Sequence, residues 1–278
     1  MQITKTSAAV GAEIEGVDLR KLSDSELGSV RAALAEHGVV FFRDQALSPE
    51  DHIGFAEQIG PINVNRFFKA VEGHPQIAEV LKEPDQKVNI GGGWHTDHSY
   101  DVEPAMGSIL YAHEIPPAGG DTLFASTGAA YDALSDGFKE MLAGLSAVHS
   151  SRHVFGEQAA YDRGVEGRIG NSEAATQDAV HPVVIAHPVT GRPLLYVNPG
   201  FTIRIDGWSR SESKALLDFL YEHASRPEFQ TRFRWEPGSL AMWDNRSTWH
   251  FALNDYHGQR RYLHRITIEG GPLAAAVG

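Results

Sequence analysis

Apolar and polar positions first alternate at Ala12-Glu13-Ile14-Glu15-Gly16-Val17, where a two-residue period predicts a half-buried strand. The pattern then changes. Ser23-Asp24-Ser25-Glu26 has the hydroxyl-to-carboxylate spacing of a capping box, so a helix starts there and Gly38 terminates it. Val39-Val40-Phe41-Phe42 is a short, wholly apolar run and predicts a buried strand. Ser48-Pro49 opens a second helix, with proline at its first position and Gly60 just past its end. Residues 64–93 keep neither period and read as a mostly irregular connection that ends in Gly91-Gly92-Gly93.

From Trp94 onward the pattern is mainly β. Strands are expected at Ser108–Ala112, Asp121–Phe124, Val183–Ile185, Leu194–Val197, Ser239–Trp243 and Tyr262–Ile268. Short helices fall across residues 127–143, and Ser209 caps a helix that runs from Ser211 to about Ala224. Residues 151–180 are polar and aperiodic; so long a loop inside a domain points to a lid, and 64–93 is a second lid segment. The whole of residues 1–278 is expected to be one domain, mainly β with flanking helices, of the double-stranded β-helix class (a jelly roll, cupin-like). An α/β sandwich is the structural alternative.

Charge and composition narrow the function. A net charge of −12 argues against a general nucleic-acid or anionic-membrane surface, while a local arginine cluster remains compatible with a small anionic substrate. The absence of cysteine removes disulfides, zinc ribbons and thiol catalysis. No apolar run approaches the ~20 residues of a membrane span, and the first residues lack the blocks of a signal peptide, so a cytoplasmic enzyme is expected.

The candidate chemistry lies in His95-Thr96-Asp97 and His250. On a strand, residues two apart share a face, so His95 and Asp97 can grip one ion, and His250 adds a second imidazole. Two histidines and one carboxylate leave positions open, which suits non-haem Fe(II) better than a closed structural site. The chain has fourteen histidines, and a bare His-x-Asp is common. His52 and His223 fall in helices, His37 at a helix end, and His181 and His187 beside prolines in expected turns. His98 would face away from the ion on an ideal strand. Trp94 and Trp249, each preceding a ligand, are expected to pack in the core, and Asp244-Asn245-Arg246 to form a turn supporting His250. Arg261 and Arg265 share one face of a strand, and their planar forks suit carboxylates or sulfonates. Were they merely surface ion pairs, each would contribute only about 0–1 kcal/mol.

The blocks GAEIEGVDL, VVFFRDQALSPEDHIGFAEQIG, WHTDHSY, PPAGGDTLFAS, RPLLYVNPGFT and WDNRSTWHFALNDYHGQRRYLHRITIEG resemble the taurine dioxygenase and 2,4-dichlorophenoxyacetate dioxygenase family of Fe(II)/2-oxoglutarate-dependent oxygenases. That resemblance implies His95, Asp97 and His250 as iron ligands, with Arg261 and Thr122 holding the far carboxylate of 2-oxoglutarate. It implies that Arg265 binds a substrate anion. It also implies use of O2, release of succinate and CO2, and hydroxylation, with C–S or C–O cleavage where the hydroxylated carbon bears a sulfonate, sulfate ester or ether. Asp97 stands where related halogenases have a small residue, which favours hydroxylation. A homo-oligomer, dimer or tetramer, is expected on the same ground.

The chain departs from the taurine enzymes at three substrate positions: Asn65 and Phe68 replace a histidine and a tyrosine, and Gly91 replaces an asparagine. Losing polar partners disfavours taurine and points to a larger, more apolar anion resting on Phe67, Phe68, Phe201 and the lid. A zinc hydrolase using the same three ligands and a non-catalytic jelly roll that binds a ligand are the alternatives.

Overall fold

Val39–Phe42 is buried on both faces: Val40 and Phe42 enter one hydrophobic cluster, Val39 and Phe41 another. The first cluster lies under helices, the second inside the β core, and this division organises the chain. The computed structural model describes residues 1–156, 169 and 176–276.

A nine-stranded sheet runs in the order Gln2–Lys5, Ala12–Glu15, Val39–Phe42, Leu240–Asp244, Gly107–Glu114, Arg261–Ile268, His74–Lys82 and Ala70–Val71, with Ile62–Asn63 also on Arg261–Ile268. All pairings are antiparallel except Ala12–Glu15 with Val39–Phe42. The helices Asp24–His37 and Pro49–Ile59 begin in complete capping boxes, built on Ser23 with Glu26 and on Ser48 with Asp51. They contribute Val30, Leu34 and Phe55 to the outer cluster, against Met242, Ile266 and Ile268 of the sheet. Gly38 ends the first helix at φ 73°, and a Cβ there would meet Thr248 at 2.7 Å, so both conformation and space demand glycine.

Facing the large sheet is a three-stranded one, Gln230–Phe233, Thr122–Ser126 and Thr248–Ala252. Phe124 and Phe233 pack there against Phe41, Trp243 and Leu263. A further sheet, Asp178–Pro182, Ser146–Ser150 and Thr202–Ile205, and the pair Val184–Ala186 with Pro193–Leu195 flank it together with the helix Arg210–Ala224. The architecture is the expected mainly-β jelly-roll core with flanking helices. Among the described residues, no helix is long and apolar enough to cross a membrane.

Three local expectations change. Residues 64–93, mostly an irregular connection as expected, also carry an unexpected element: His74–Lys82 is a nine-residue strand of the large sheet, held along Arg261–Arg265. Within 151–180, Arg152–Phe155 is helical and Asp178–Pro182 is a strand, while residues 157–168 and 170–175 of that expected lid lie outside the described residues. His181 therefore sits in a strand rather than a turn.

Candidate active site

The strand Arg261–Ile268 alternates across the sheet. Ile266 and Ile268 face the helices, Leu263 faces the β interior, and so Arg261 and Arg265 point inward with it. On Thr248–Ala252 the same alternation sends Trp249 into an outer cluster and His250 inward. Opposite His250, His95 forms a single bridge: His95 N–H donates to His250 C=O at 3.1 Å, and His250 N–H to His95 C=O at 2.8 Å. The metal triplet is therefore not on a continuous strand. The chain turns after His95, and that turn, rather than strand alternation, brings Asp97 to the same point.

The result is compact. His95 Nε2 lies 3.7 Å from Asp97 Oδ1, and His250 Nε2 lies 3.8 Å from Asp97 Oδ2. All three ligand atoms fall within 4.8 Å of one another, the one such cluster among the described residues. Ligand bonds near 2.1 Å from one ion would span these gaps. His95 Nδ1 meets Gly93 C=O at 2.8 Å, which places the proton on Nδ1 and leaves Nε2 for a metal. Burial, followed by the neighbouring His95, keeps the His250 imidazole far below its ordinary pKa and hence neutral. Burial resists ionisation of Asp97, but the adjacent Arg265 guanidinium opposes it, and the carboxyl stays below the usual carboxylate range. Ser108 Oγ donates to Asp97 Oδ2 at 3.0 Å. Two imidazole nitrogens and a carboxylate are the donor set of an open ferrous site.

The supporting turn is also built. Asp244 bonds Arg246 and His187, the latter at 3.1 Å. Burial opposes its charge, yet these partners hold its carboxyl at about 2. Thr248 Oγ1 donates to Asp244 C=O at 2.8 Å, and the Thr96 hydroxyl donates to Asn245 C=O, so one turn ties together both parts of the triad. His187, expected in a plain turn, is thus a buried partner of Asp244.

A cavity of about 170 Å³ opens over the triad, with Thr122, Arg261 and Arg265 in its wall. Arg261 is 4% exposed, and burial lowers its pKa. Its Nε donates to Gly120 C=O at 3.0 Å and its guanidinium stacks on Trp235 at 5.7 Å, but Nη2 has no partner. Trp235 Nε1 in turn donates to Thr122 Oγ1 at 2.9 Å. A buried guanidinium with an unused donor fits a carboxylate entering from the cavity. Arg265 is buried too; its Nη1 lies 3.3 Å from Asp97 Oδ2, its plane covers Phe68 at 4.5 Å, and its Nε has no partner.

Of the expected substrate positions, Phe68, Gly91 and Phe201 line the cavity, and Asn65 does not. The Asn65 carbonyl is spent on the backbone N–H groups of Phe67 and Phe68, at 2.9 and 3.0 Å, which makes it a loop cap. Phe67 lies behind the wall, stacked on Phe155 at 4.1 Å. Phe155, Val154 and Ile169 are lining residues that the sequence reading did not single out. His98, expected to face away from the ion, is not among the three clustered ligands but does line the cavity. Its φ of 60° breaks strand alternation, and the His98-to-Asp101 spacing was the available signal. Trp94 has two roles, packing against the outer cluster and lining the cavity.

Residues 2–267 match the model of the family described as taurine catabolism dioxygenase TauD, TfdA. An alkylsulfatase of Acinetobacter baylyi is 37% identical, with 100% of this chain and 88% of that protein covered. An alpha-ketoglutarate-dependent sulfate ester dioxygenase of Pseudomonas putida is 34% identical over 97% of this chain and 90% of its own. The crystal structure of a taurine dioxygenase from Burkholderia xenovorans superimposes with a TM-score of 0.82 at 37% identity, covering 100% of this chain and 94% of that one.

Proposed function

The chain belongs to the TauD/TfdA dioxygenase family, and from that premise we propose that it hydroxylates an organic anion with an apolar body: an alkyl sulfate, an alkyl sulfonate or a carboxylate. It is a 2-oxoglutarate-dependent dioxygenase, with Fe(II), 2-oxoglutarate and O2 as its cofactor and co-substrates. Family membership displaces the zinc hydrolase and the non-catalytic jelly roll as readings of the same three ligands.

In this reading His95, Asp97 and His250 hold the iron. The bound metal, with 2-oxoglutarate and O2, supplies an oxidant that hydroxylates carbon and leaves succinate and CO2. Arg261 and Thr122 orient the co-substrate through its far carboxylate. Arg265 attracts the substrate's acid group, and Phe68, Phe155, Phe201 and Ile169 exclude water from its body. Where hydroxylation falls on carbon bearing a sulfate-ester oxygen or sulfonate, the product collapses with C–O or C–S cleavage. The observation that carries the reading is Arg261 Nη2, a buried donor without a partner in the cavity of the triad. The apolar wall and Gly91 support a longer-tailed anion over taurine. One catalytic domain, a cytoplasmic location and assembly as a dimer or tetramer belong to the same proposal and rest on family likeness.

Anaerobic addition of Fe(II) and then 2-oxoglutarate to the apo-protein tests the cofactor assignment. A visible charge-transfer band is expected, weakened in Arg261→Ala. Succinate release with taurine, 1-octanesulfonate, octyl sulfate and phenoxyacetate then ranks the substrates, and taurine at the head of that ranking would overturn the apolar-anion reading.

A further inference from the structure

We propose that His98 is a specificity-determining residue whose Nε2 accepts a hydrogen bond from the substrate, so that the preferred anion carries an O–H or N–H besides its acid group. The inference rests on the organic-anion reading of the cavity and deepens it.

His98 directly follows Asp97 and lines the same cavity. Its φ of 60° lies in the left-handed region, which residues with side chains enter at a cost and which clusters at functional sites. The ring is held from behind: Nδ1 meets Asp101 Oδ2 at 2.8 Å. Asp101 is in turn fixed by Arg66, which contacts its two oxygens at 2.5 and 3.2 Å, and by His181 Nε2, 3.0 Å from its carbonyl. An ionised carboxylate only accepts, so the proton facing Asp101 sits on Nδ1. The tautomer with its proton on Nδ1 leaves a lone pair at Nε2.

That nitrogen has no partner, and the residue is 2% exposed. Buried polar atoms are nearly always paired, so an unpaired one in the wall of a cavity calls for an explanation. Arg66 contacts Asp101 and Arg265 contacts Asp97, while Arg261, also in the cavity wall, donates to Gly120 C=O. Around them the cavity wall is the apolar set Phe68, Phe155, Ile169 and Phe201. A donor on the substrate is the group that would complete Nε2. Because His98 adjoins Asp97, that donor falls near the metal end of the substrate. A site that hydrogen-bonds a substrate group discriminates against analogues that lack it.

The test uses the anaerobic Fe(II)- and 2-oxoglutarate-loaded enzyme and three probes: 1-octanesulfonate, 2-hydroxyoctane-1-sulfonate and N-hexanoyltaurine. Calorimetric titration is expected to show a donor-bearing probe bound at least about fivefold more tightly than 1-octanesulfonate, the range of one net hydrogen bond. In His98→Asn the carboxamide can still reach Asp101 and tolerates the left-handed backbone, but the Nε2 position is vacated. The ratio should fall to within about twofold of unity there. His98→Gln, whose amide reaches the Nε2 position, should recover part of it. Unfolding midpoints identify a variant that has simply lost its fold, and the ratio between probes is then read in the other variant. Equal affinities in the wild type, or an unchanged ratio in His98→Asn, overturn the role of His98 and leave the organic-anion reading standing. Binding of none of the three probes overturns both.

Discussion

Arg265 lies against Asp97, with Nη1 3.3 Å from Oδ2 and 3.4 Å from Oδ1, both side chains buried. The arginine proposed to recognise the substrate thus touches the carboxylate proposed to hold the iron. On the proposed roles, an ion held by Asp97 would take up part of its charge and weaken this pair, freeing guanidinium donors for an incoming anion. Substrate attraction would thereby be linked to metal loading.

Arg265→Leu should therefore raise KM for octyl sulfate by about 10- to 100-fold, the scale of a hydrogen bond to a charged group. The Fe(II)/2-oxoglutarate absorption band should persist. Steady-state kinetics and the anaerobic spectrum check the two halves. A band lost with the arginine would instead make Arg265 part of the metal site's framework.

Arg261 and Thr122 should separate from Arg265 in the same assays. Arg261→Ala is expected to raise KM for 2-oxoglutarate by about 10- to 100-fold, leaving the preference among substrates unchanged. Thr122→Val strands the buried Trp235 N–H that now donates to Thr122 Oγ1 at 2.9 Å. It should cost about 1–3 kcal/mol of stability and affect 2-oxoglutarate less than the arginine change. Thermal unfolding read beside 2-oxoglutarate titration distinguishes them.

What the sequence made legible follows from how local each determinant is. The helix starts at Ser23, Ser48 and Ser209 are set by side chains within three residues, and each forms its capping box. The inward facing of Arg261 and Arg265 follows from period two because they stand on a real eight-residue strand. Period two failed at His95-Thr96-Asp97-His98, where one bridge is followed by a turn and a positive φ. The triad itself was found because its residue types announce it, whereas the position of His98 depends on a backbone angle. His74–Lys82 was missed for another reason: its residues are half-buried and weakly alternating, and pairing with Arg261–Arg265 in the folded sheet makes it a strand. Asn65 was misplaced because a role was transferred by position along the chain, while its carbonyl caps the loop of Phe67 and Phe68.

Acid should destabilise the metal-free protein from about pH 6.5 downward. Burial holds His52 and His149 at about 3 and His264 at about 4, all below the ordinary 6.5. As pH falls through 6.5 the unfolded chain takes up these protons and the folded chain does not. Their contribution is therefore intact above 6.5 and is lost progressively toward pH 4 and then 3. Each histidine contributes a slope of about 1.4 kcal/mol per pH unit in that window. Urea unfolding at pH 8, 6 and 5 measures it, and a midpoint independent of pH over that range would contradict the burial of these neutral rings. His52→Gln should flatten the slope by about one proton.

Gly91 sets the room beside the metal. Its φ is 80°, and a Cβ built there would lie 3.4 Å from His95 Cε1 and 3.9 Å from His95 Nε2, the atom that faces an ion. Any side chain at 91 therefore enters the space next to the coordination sphere, and most would strain the left-handed backbone. Asparagine tolerates that backbone best and is the residue expected at this position in taurine enzymes. Gly91→Asn should shrink the apolar space and add a carboxamide, moving the ratio of kcat/KM for taurine to that for octyl sulfate upward by about tenfold, the scale of one or two methylenes and a polar contact. Gly91→Val, which adds bulk on a backbone that β-branched residues avoid, should lower activity on both anions together and reduce thermal stability by about 1–2 kcal/mol. Parallel kinetics on the two substrates decide the matter. An unchanged ratio in Gly91→Asn would mean that the substrate body lies on the Phe68 and Phe201 side of the cavity and never occupies the space that glycine leaves.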